Sequence, residues 1–295
     1  MPRIHLQDFQ VRYYECDAYG HMNHTNYLRY MQEAAFEASA AAGYDLKRYA
    51  DLGRHWLAHR TRVEFLRPLL YGDRVQVKTW VQDHRRARSL RRYEFQLPES
   101  GEICARGETD WVYRSETTGK PVPIPTDMLA AFFPDGIPPM APPRAPFPAP
   151  PPPPPGVFKT RRRVEWREID SMLHVNNTAY MAYVEDCGFK VASAFGWPVQ
   201  RMWQEGFGIL LRQHEIEYRL PALMDEELEI ATWIAGFKRT TAIRYFTITR
   251  VADGARLAQV RTRWAWVDLE SGRPIRIPDR FLRDFEANIS CDGQG

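Results

Sequence analysis

The chain has 295 residues, with 44% hydrophobic and 26% charged residues and a formal net charge of +3. This composition is ordinary for a soluble globular protein, and the charge is too small to indicate nucleic-acid binding. No apolar run approaches the ~20 residues that a membrane helix needs, and the N-terminus lacks the apolar core of a secretory signal. The composition therefore predicts a cytoplasmic protein with no nucleic-acid partner and no membrane span.

The cysteines give no sign of a metal site or a disulfide framework. No two of them are spaced as a CxxC motif, which predicts a reduced protein without structural zinc. The four residues are Cys16, Cys104, Cys187 and Cys291.

In chain order, the first predicted elements are a strand at residues 9–14 and a long helix at residues 23–42. Apolar side chains recur at helical spacing from Tyr27 onward, with Asn23 as the N-cap and Gly43 as the stop signal. Several alanines make this helix thin, so that a sheet can approach it closely. Four extended stretches follow, which together with the helix predict an α+β fold. They are residues 55–67, 74–83, 88–97 and 102–114.

The whole pattern then occurs a second time. A shift of 153 residues places Asp17 on Asp170, His21 on His174 and Trp111 on Trp264 without a gap. Such a register predicts two copies of one fold. The predicted bounds are residues 1–133 for the first domain and 158–287 for the second, with a tail at 288–295.

A proline-rich segment at residues 134–157 separates the copies. Proline cannot donate to a sheet or continue a helix, so no third domain is expected here. The segment is predicted to be an extended spacer, although a docking ligand for an aromatic-lined groove has the same composition.

One polar stretch stands out in each copy. It reads YECDAYGHMNHTNY at residues 14–27 and REIDSMLHVNNTAY at residues 167–180. Each version places an aspartate and a histidine four residues apart, followed by an asparagine and an amphipathic helix. We call residues 14–23 and 167–176 the first and second elbow.

The elbows resemble those of the hotdog-fold acyl-CoA thioesterases of the 4-hydroxybenzoyl-CoA thioesterase superfamily. His174-Val175-Asn176-Asn177 is also similar to the acyl-carrier-protein thioesterases, which are tandem hotdogs. The resemblance covers residues 9–132 and 162–285. It implies two hotdog domains, each a long helix wrapped by a curved antiparallel sheet, which pair as a pseudo-dimer.

The resemblance also implies the chemistry. An aspartate at a helix N-terminus would attack a thioester or activate water, and helix N–H groups would form the oxyanion hole. The alternative is a purely structural role, in which each aspartate only accepts the backbone hydrogen bond of an Asx turn. The implied catalytic residues are Asp17, His21, Asn23, Asp170, His174 and Asn176.

The elbows differ, and we expect the first to be the active one. The first has Tyr19 and Gly20 where the second has Met172 and Leu173, and Gly20 permits torsions that we expect Leu173 not to adopt. Substrate contacts are predicted for Tyr19, Gly20, Tyr27, Arg85 and Arg86. The two arginines would bind the phosphates of coenzyme A or the acidic face of a carrier protein, or would only keep a sheet edge soluble.

The expected substrate is thus an acyl-CoA or an acyl carrier protein, with no metal and no cofactor beyond the coenzyme A of the substrate. Further self-association of the fused pair is left open. Two other functions fit the sequence. One is a hotdog enoyl-CoA hydratase, and the other is a non-catalytic acyl-CoA-binding or scaffold protein.

Overall fold

The structure is a computed structural model and describes residues 1–290. Contacts divide the chain into two compact units, the first ending at Pro146 and the second beginning at Phe147. Each unit contains five strands and three α-helices within the described residues. The predicted α+β class is therefore confirmed for both units.

The first unit forms one antiparallel sheet in the order β1-β3-β4-β5-β2. Its strands are β1 (Ile4–Gln10), β2 (Arg54–Phe65), β3 (Arg74–His84), β4 (Arg88–Gln96) and β5 (Ile103–Ser115). Its helices are α1 (His24–Ala41), α2 (Leu46–Asp51) and α3 (Thr126–Phe132).

The second unit repeats this arrangement in the order β6-β8-β9-β10-β7. Its strands are β6 (Phe158–Arg163), β7 (Phe207–Tyr218), β8 (Glu227–Phe237), β9 (Thr241–Arg250) and β10 (Arg256–Asp268). Its helices are α4 (Ala179–Ala194), α5 (Val199–Gln204) and α6 (Asp279–Asp284). The element bounds follow the 153-residue shift to within two residues.

Helix α1 packs against the inner face of its sheet through small side chains. Ala34, Ala35 and Ala38 are all buried, and Gly107 on β5 lies so close that a Cβ there would stand 2.6 Å from Met31 Sδ. Alanine and glycine thus allow the close approach that the sequence predicted.

The second unit fills the space equivalent to Met31 and Gly107 in another way. Val184 and Val260 occupy the equivalent positions and belong to one buried cluster. The first unit pairs a long side chain, Met31, with glycine, whereas the second unit pairs two valines of medium size. The total volume is similar, so the helix packs against the sheet in the same way.

The largest error in the predicted elements concerns the first strand. It was expected at residues 9–14, but β1 spans Ile4–Gln10, and a 3₁₀ turn at Tyr13–Glu15 leads into the elbow. The exposed and half-buried residues of β1 alternate regularly, as expected for a strand with one face toward solvent, and β1 lies at the edge of the sheet. The other predicted ends fall within two residues of those in the structure.

The first part of the proline-rich segment lies against the first unit. His84 Nε2 is 2.9 Å from the carbonyl oxygen of Pro138, and the Ala141 N–H donates to the His84 carbonyl. Arg60 donates to the carbonyl of Ala145 at 3.1 Å.

The second part of this segment contacts the second unit. Phe147 is 7% exposed and packs against Trp233 and Tyr245. Ser290 Oγ donates to the Pro152 carbonyl at 3.0 Å, so residues 288–290 are packed although a tail was predicted from residue 288. The rest of that tail, including Cys291, lies outside the described residues, and the predicted domain bounds stay predictions.

Arg144 anchors this segment to a buried carboxylate on the outer face of the first sheet. Asp110 is 4% exposed and lies 3.3 Å from Arg144 and 3.2 Å from Arg88, while Arg144 also pairs with Asp83. Burial raises the pKa of Asp110, and the charges of Arg144 and Arg88 oppose this rise.

Arg144→Ala is expected to destabilise the protein in a pH-dependent way. Removing one partner of a buried ion pair costs about 3 kcal/mol, and Arg88 remains to limit the loss. The pKa of Asp110 is higher in the folded protein than in the unfolded chain, where it is 3.8. The folded protein therefore loses stability as the pH rises from 3.8 through the pKa of the folded state. The variant raises the folded pKa further, so chemical unfolding should show a larger loss at pH 7 than at pH 4.

Arg92→Ala is the matched control, because the Arg92–Glu108 pair lies on the same face but is partly exposed. Its loss should stay within about 1 kcal/mol. Adding Asp110→Asn to Arg144→Ala should recover stability at pH 7. An equal loss at both pH values would contradict this account of Asp110.

Candidate functional site

Each elbow is held by one glutamate that sequence reasoning missed. Glu15 accepts hydrogen bonds from the Arg12 N–H at 2.8 Å and from the Tyr30 hydroxyl at 2.6 Å, while its carbonyl accepts from the Asn23 N–H. The carboxylate thus ties the start of the elbow to the long helix, and the carbonyl ties the start to the end.

The second elbow has the same tie. Glu168 accepts from the Glu165 N–H at 2.9 Å and from the Tyr183 hydroxyl at 2.7 Å, and it also pairs with Arg162. Burial, followed by the neighbouring glutamate, raises the pKa of both tyrosines, so each hydroxyl keeps its proton and donates. The 153-residue register was the available signal, since it pairs Glu15 with Glu168 and Tyr30 with Tyr183.

A second set of backbone hydrogen bonds joins the first elbow to the loop between β2 and β3, and the second elbow to the loop between β7 and β8. The Met22 N–H donates to the Leu69 carbonyl at 2.7 Å, and the Val175 N–H donates to the Ala222 carbonyl at 2.9 Å. Tyr27 and Tyr180 accept from backbone N–H groups of the same loops at 3.3 and 3.2 Å.

Asp17 is half-buried and is held through one carboxylate oxygen. Oδ1 accepts from the N–H groups of Tyr19 at 2.8 Å and His21 at 3.2 Å. Within the described residues, no group donates a hydrogen bond to Oδ2. The Asx turn therefore fixes the direction of the carboxylate and leaves one oxygen available, so the structural and catalytic interpretations of Asp17 are compatible.

Asp170 has hydrogen-bond partners at both oxygens. Oδ1 accepts from the Met172 N–H at 2.9 Å, and Oδ2 accepts from Asn176 Nδ2 at 3.3 Å. His174 Nδ1 lies 3.6 Å from Oδ1. The structure thus brings together all three predicted catalytic residues of the second elbow.

The N-terminus of α1 differs from the expected oxyanion hole. Asn23 is the N-cap, and its Oδ1 accepts from the Thr25 N–H at 2.9 Å while its carbonyl accepts from the Asn26 N–H. Asn176 caps the second elbow in the same way through Thr178. Two first-turn N–H groups are therefore occupied in α1, and Asn23 serves as the cap of this helix.

Cys16 is the other side chain next to Asp17 that has nucleophilic chemistry. Burial raises the pKa of its thiol, and the charges of Asp17 and Glu15 raise it further. The thiol therefore stays protonated at neutral pH and is a poor nucleophile.

The predicted substrate contacts fall in different places. Tyr19 and Gly20 lie in the first elbow, whereas Tyr27 is 2% exposed and lies in the core. Arg85 and Arg86 lie in the turn after β3, and the first elbow bonds to the loop before β3. An 11-residue strand at ~3.3 Å per residue separates these ends by about 35 Å, so the structure does not bring the two arginines to Asp17.

Comparison with known proteins identifies the family. The profile of the Thioesterase-like superfamily matches residues 11–132 and again 164–285. The chain belongs to this superfamily. The resemblance seen in the elbow sequences is thereby confirmed.

Solved structures show the same tandem hotdog fold. The 12:0-ACP thioesterase from Umbellularia californica aligns over 92% of this chain and 97% of its own, with a TM-score of 0.69 and 18% identity. An acyl-ACP thioesterase from Bacteroides thetaiotaomicron aligns over 88% of this chain and 97% of its own, with a TM-score of 0.68 and 15% identity.

A similar sequence is the chloroplastic palmitoyl-acyl carrier protein thioesterase of Gossypium hirsutum. It is 23% identical over 280 residues, which cover 88% of this chain and 63% of the relative. The chain thus spans a little under two thirds of the length of this plant protein. Among residues 1–290, no helix is long and apolar enough to cross a membrane.

The elbows also differ in backbone strain. The expectation that Leu173 would not adopt the torsions of Gly20 is wrong, because Leu173 has φ +61° and Gly20 has φ +76°. A leucine in this left-handed region costs roughly 1–2 kcal/mol, and its side chain is 76% exposed, so packing offsets little of this cost.

We expect Leu173→Gly to raise the free energy of unfolding by up to about 1 kcal/mol, because glycine removes this strain at some cost in chain entropy. Gly20→Ala should lower it by about 1 kcal/mol, although no atom lies within 4 Å of the added Cβ. Denaturant unfolding of both variants measures this. Loss of stability in Leu173→Gly would contradict the strain argument.

Proposed function

We propose that the protein hydrolyses acyl thioesters and that Asp17, in the first elbow, is the reacting carboxylate. Membership of the Thioesterase-like superfamily supports the reaction class. The observation that supports the residue is the hydrogen bonding of Asp17, whose Oδ1 is fixed by two backbone N–H groups while Oδ2 has no such partner within residues 1–290.

The carboxylate has two routes to the same products. It can take a proton from water, whose oxygen then bonds to the thioester carbonyl carbon, or it can bond to that carbon itself before water releases the acid. In both routes the carbon–sulfur bond breaks and the sulfur leaves as a thiol after it gains a proton. A positioned base contributes typically 10²–10⁴-fold to such a reaction.

The positive end of the α1 dipole is proposed to stabilise the charge that develops on the carbonyl oxygen. The effect of the dipole does not require an unoccupied N–H group, so the cap at Asn23 is compatible with it. His21 is proposed to orient the water or the substrate, because its backbone N–H already fixes Asp17.

The second elbow is proposed to support acyl binding rather than the chemical step. Both oxygens of Asp170 accept hydrogen bonds from its own elbow, and Asn176 contributes one of them. Asp17 also accepts two hydrogen bonds, but both go to Oδ1, whereas in Asp170 a water or a thioester would have to displace a donor to reach either oxygen.

We propose that the substrate is an acyl-CoA or an acyl carrier protein. Relatives named for carrier-protein thioesters support this class. Carboxylate and water suffice for this chemistry, so we propose that no cofactor takes part beyond the thiol carrier, which belongs to the substrate.

Release of free thiol from a panel of acyl-CoA and acyl-carrier-protein substrates, from short to long chains with one benzoyl type, tests this function. We expect thiol release from at least one of them. Crotonyl-CoA hydration, followed by loss of the double-bond absorbance, is the comparison reaction for a hydratase of the same fold.

Hydration of crotonyl-CoA without thiol release would assign a hydratase instead. Binding of acyl-CoA or acyl carrier protein with neither reaction would contradict the enzyme and favour an acyl-binding protein. Calorimetric titration with a non-hydrolysable acyl-CoA thioether distinguishes this case from a protein that binds no acyl carrier.

A further inference from the structure

A buried cation in the first unit has too few partners. Arg91 on β4 is 6% exposed and donates one hydrogen bond, to Thr79 Oγ1 at 3.3 Å. Its guanidinium carbon lies 5.5 Å from the centroid of the Phe132 ring. Within residues 1–290 no carboxylate forms an ion pair with it. A guanidinium carries five donors, and burying an unpaired charge is costly, so this position requires a physical explanation.

The second unit contains the same arrangement with one more acceptor. Arg244 is 8% exposed, lies 5.5 Å from the Phe285 ring and donates to Thr232 Oγ1 at 3.4 Å. It also donates to Asn288 Oδ1 at 3.0 Å. Asn288 is fixed in place, because its Nδ2 donates to the carbonyls of Gly156 and Thr232.

The first unit does not supply this acceptor. Asp135 occupies the position that the 153-residue shift assigns to Asn288, but it lies at the surface and pairs with the N-terminal ammonium of Met1 at 2.9 Å. Arg91 and Arg244 are therefore a natural matched pair. Arg244 has a side-chain amide as acceptor, and Arg91 has no such amide acceptor among residues 1–290.

The surroundings of Arg91 are polar without being negatively charged. The Tyr49 hydroxyl is bonded to Ser39 at 2.8 Å and to Trp56 Nε1 at 3.1 Å. Burial raises the pKa of Tyr49, so the phenol stays neutral and does not balance the guanidinium. The only hydrogen bond from Arg91 within the described residues goes to a neutral hydroxyl group.

We propose that Arg91 is an internal anion-binding site that takes a carboxylate. A planar carboxylate accepts two parallel hydrogen bonds from a guanidinium and supplies the missing charge. The ligand is either a small free carboxylate or a carboxyl group at the far end of an acyl chain. Arg91 is near Tyr49, whose hydroxyl forms a hydrogen bond with Ser39 in the last turn of α1. The first elbow, with Asp17, precedes the first turn of the same helix. The site is thus distinct from that of Asp17.

Thermal unfolding of the full chain tests the proposal with formate, the smallest carboxylate, which replaces chloride at constant ionic strength. Wild type should gain about 2–4 °C in Tm at saturating formate. Arg91→Met should lose this gain. Arg244→Met is the matched control and should keep it, although its own Tm falls because Asn288 loses a partner.

Arg91→Lys covers the case in which the methionine variant does not fold. Lysine keeps the charge but loses the planar fork, so formate affinity should fall by about tenfold or more, as expected for a charge-assisted hydrogen bond. Chemical-shift titration of ¹³C-formate with wild type and Arg91→Lys measures this affinity directly. Equal formate responses in wild type and Arg91→Met, or no formate binding to wild type, would overturn the proposal.

A comparison of two substrate series identifies the source of the carboxylate. It is the only one of these experiments that rests on the proposed function. Thiol release is measured from acyl-CoA substrates with and without a terminal carboxyl group at equal chain length. If the substrate supplies the anion, Arg91→Met should lower kcat/KM for the carboxylated series only. If formate binds and both series respond alike, the ligand is a free carboxylate. The formate titration stands even if no thioester is hydrolysed.

Discussion

The structure depends on one constraint. Each elbow is a polar loop between a sheet and the start of a buried helix, and the polar groups of this loop need hydrogen-bond partners. Glu15 and Glu168 meet this constraint, because each carboxylate bonds a buried tyrosine of the helix and a backbone N–H before the elbow. The glutamates hold the loops so that an aspartate two residues later has a defined direction. The role proposed for Asp17 depends on this fixed backbone.

The two units share this frame, while the hydrogen bonding of the aspartates in the two elbows differs. Asp17 is fixed by backbone donors to one oxygen, whereas Asp170 receives a side-chain donor as well. The left-handed residue is glycine in the first elbow and a strained leucine in the second. Arg91 and Arg244 repeat this contrast in the two cores. For the aspartate and for the arginine, the second unit adds a side-chain amide partner that the first unit does not supply within residues 1–290.

The sequence predicts the repeating features well and the side-chain pairings poorly. Alternation, helical spacing and the 153-residue shift give α1, β2, β3, β4 and β5 to within two residues, because burial on one face determines each of them. The sequence pattern does not distinguish the 3₁₀ turn at Tyr13–Glu15 from a strand, because tyrosine is also common in strands. Their charge alone predicts that Arg85 and Arg86 belong to the site, whereas the direction and length of β3 show that they are remote from Asp17.

We propose that Asp17, and not Asp170, performs the chemical step. The most direct test is single-turnover thiol release by wild type, Asp17→Asn and Asp170→Asn, with circular dichroism to verify folding. Asparagine keeps the oxygen that accepts the backbone N–H groups and removes the charge. We expect a loss of about 10²-fold or more in Asp17→Asn and little change in Asp170→Asn. Full activity in Asp17→Asn, or its loss in Asp170→Asn alone, would contradict it.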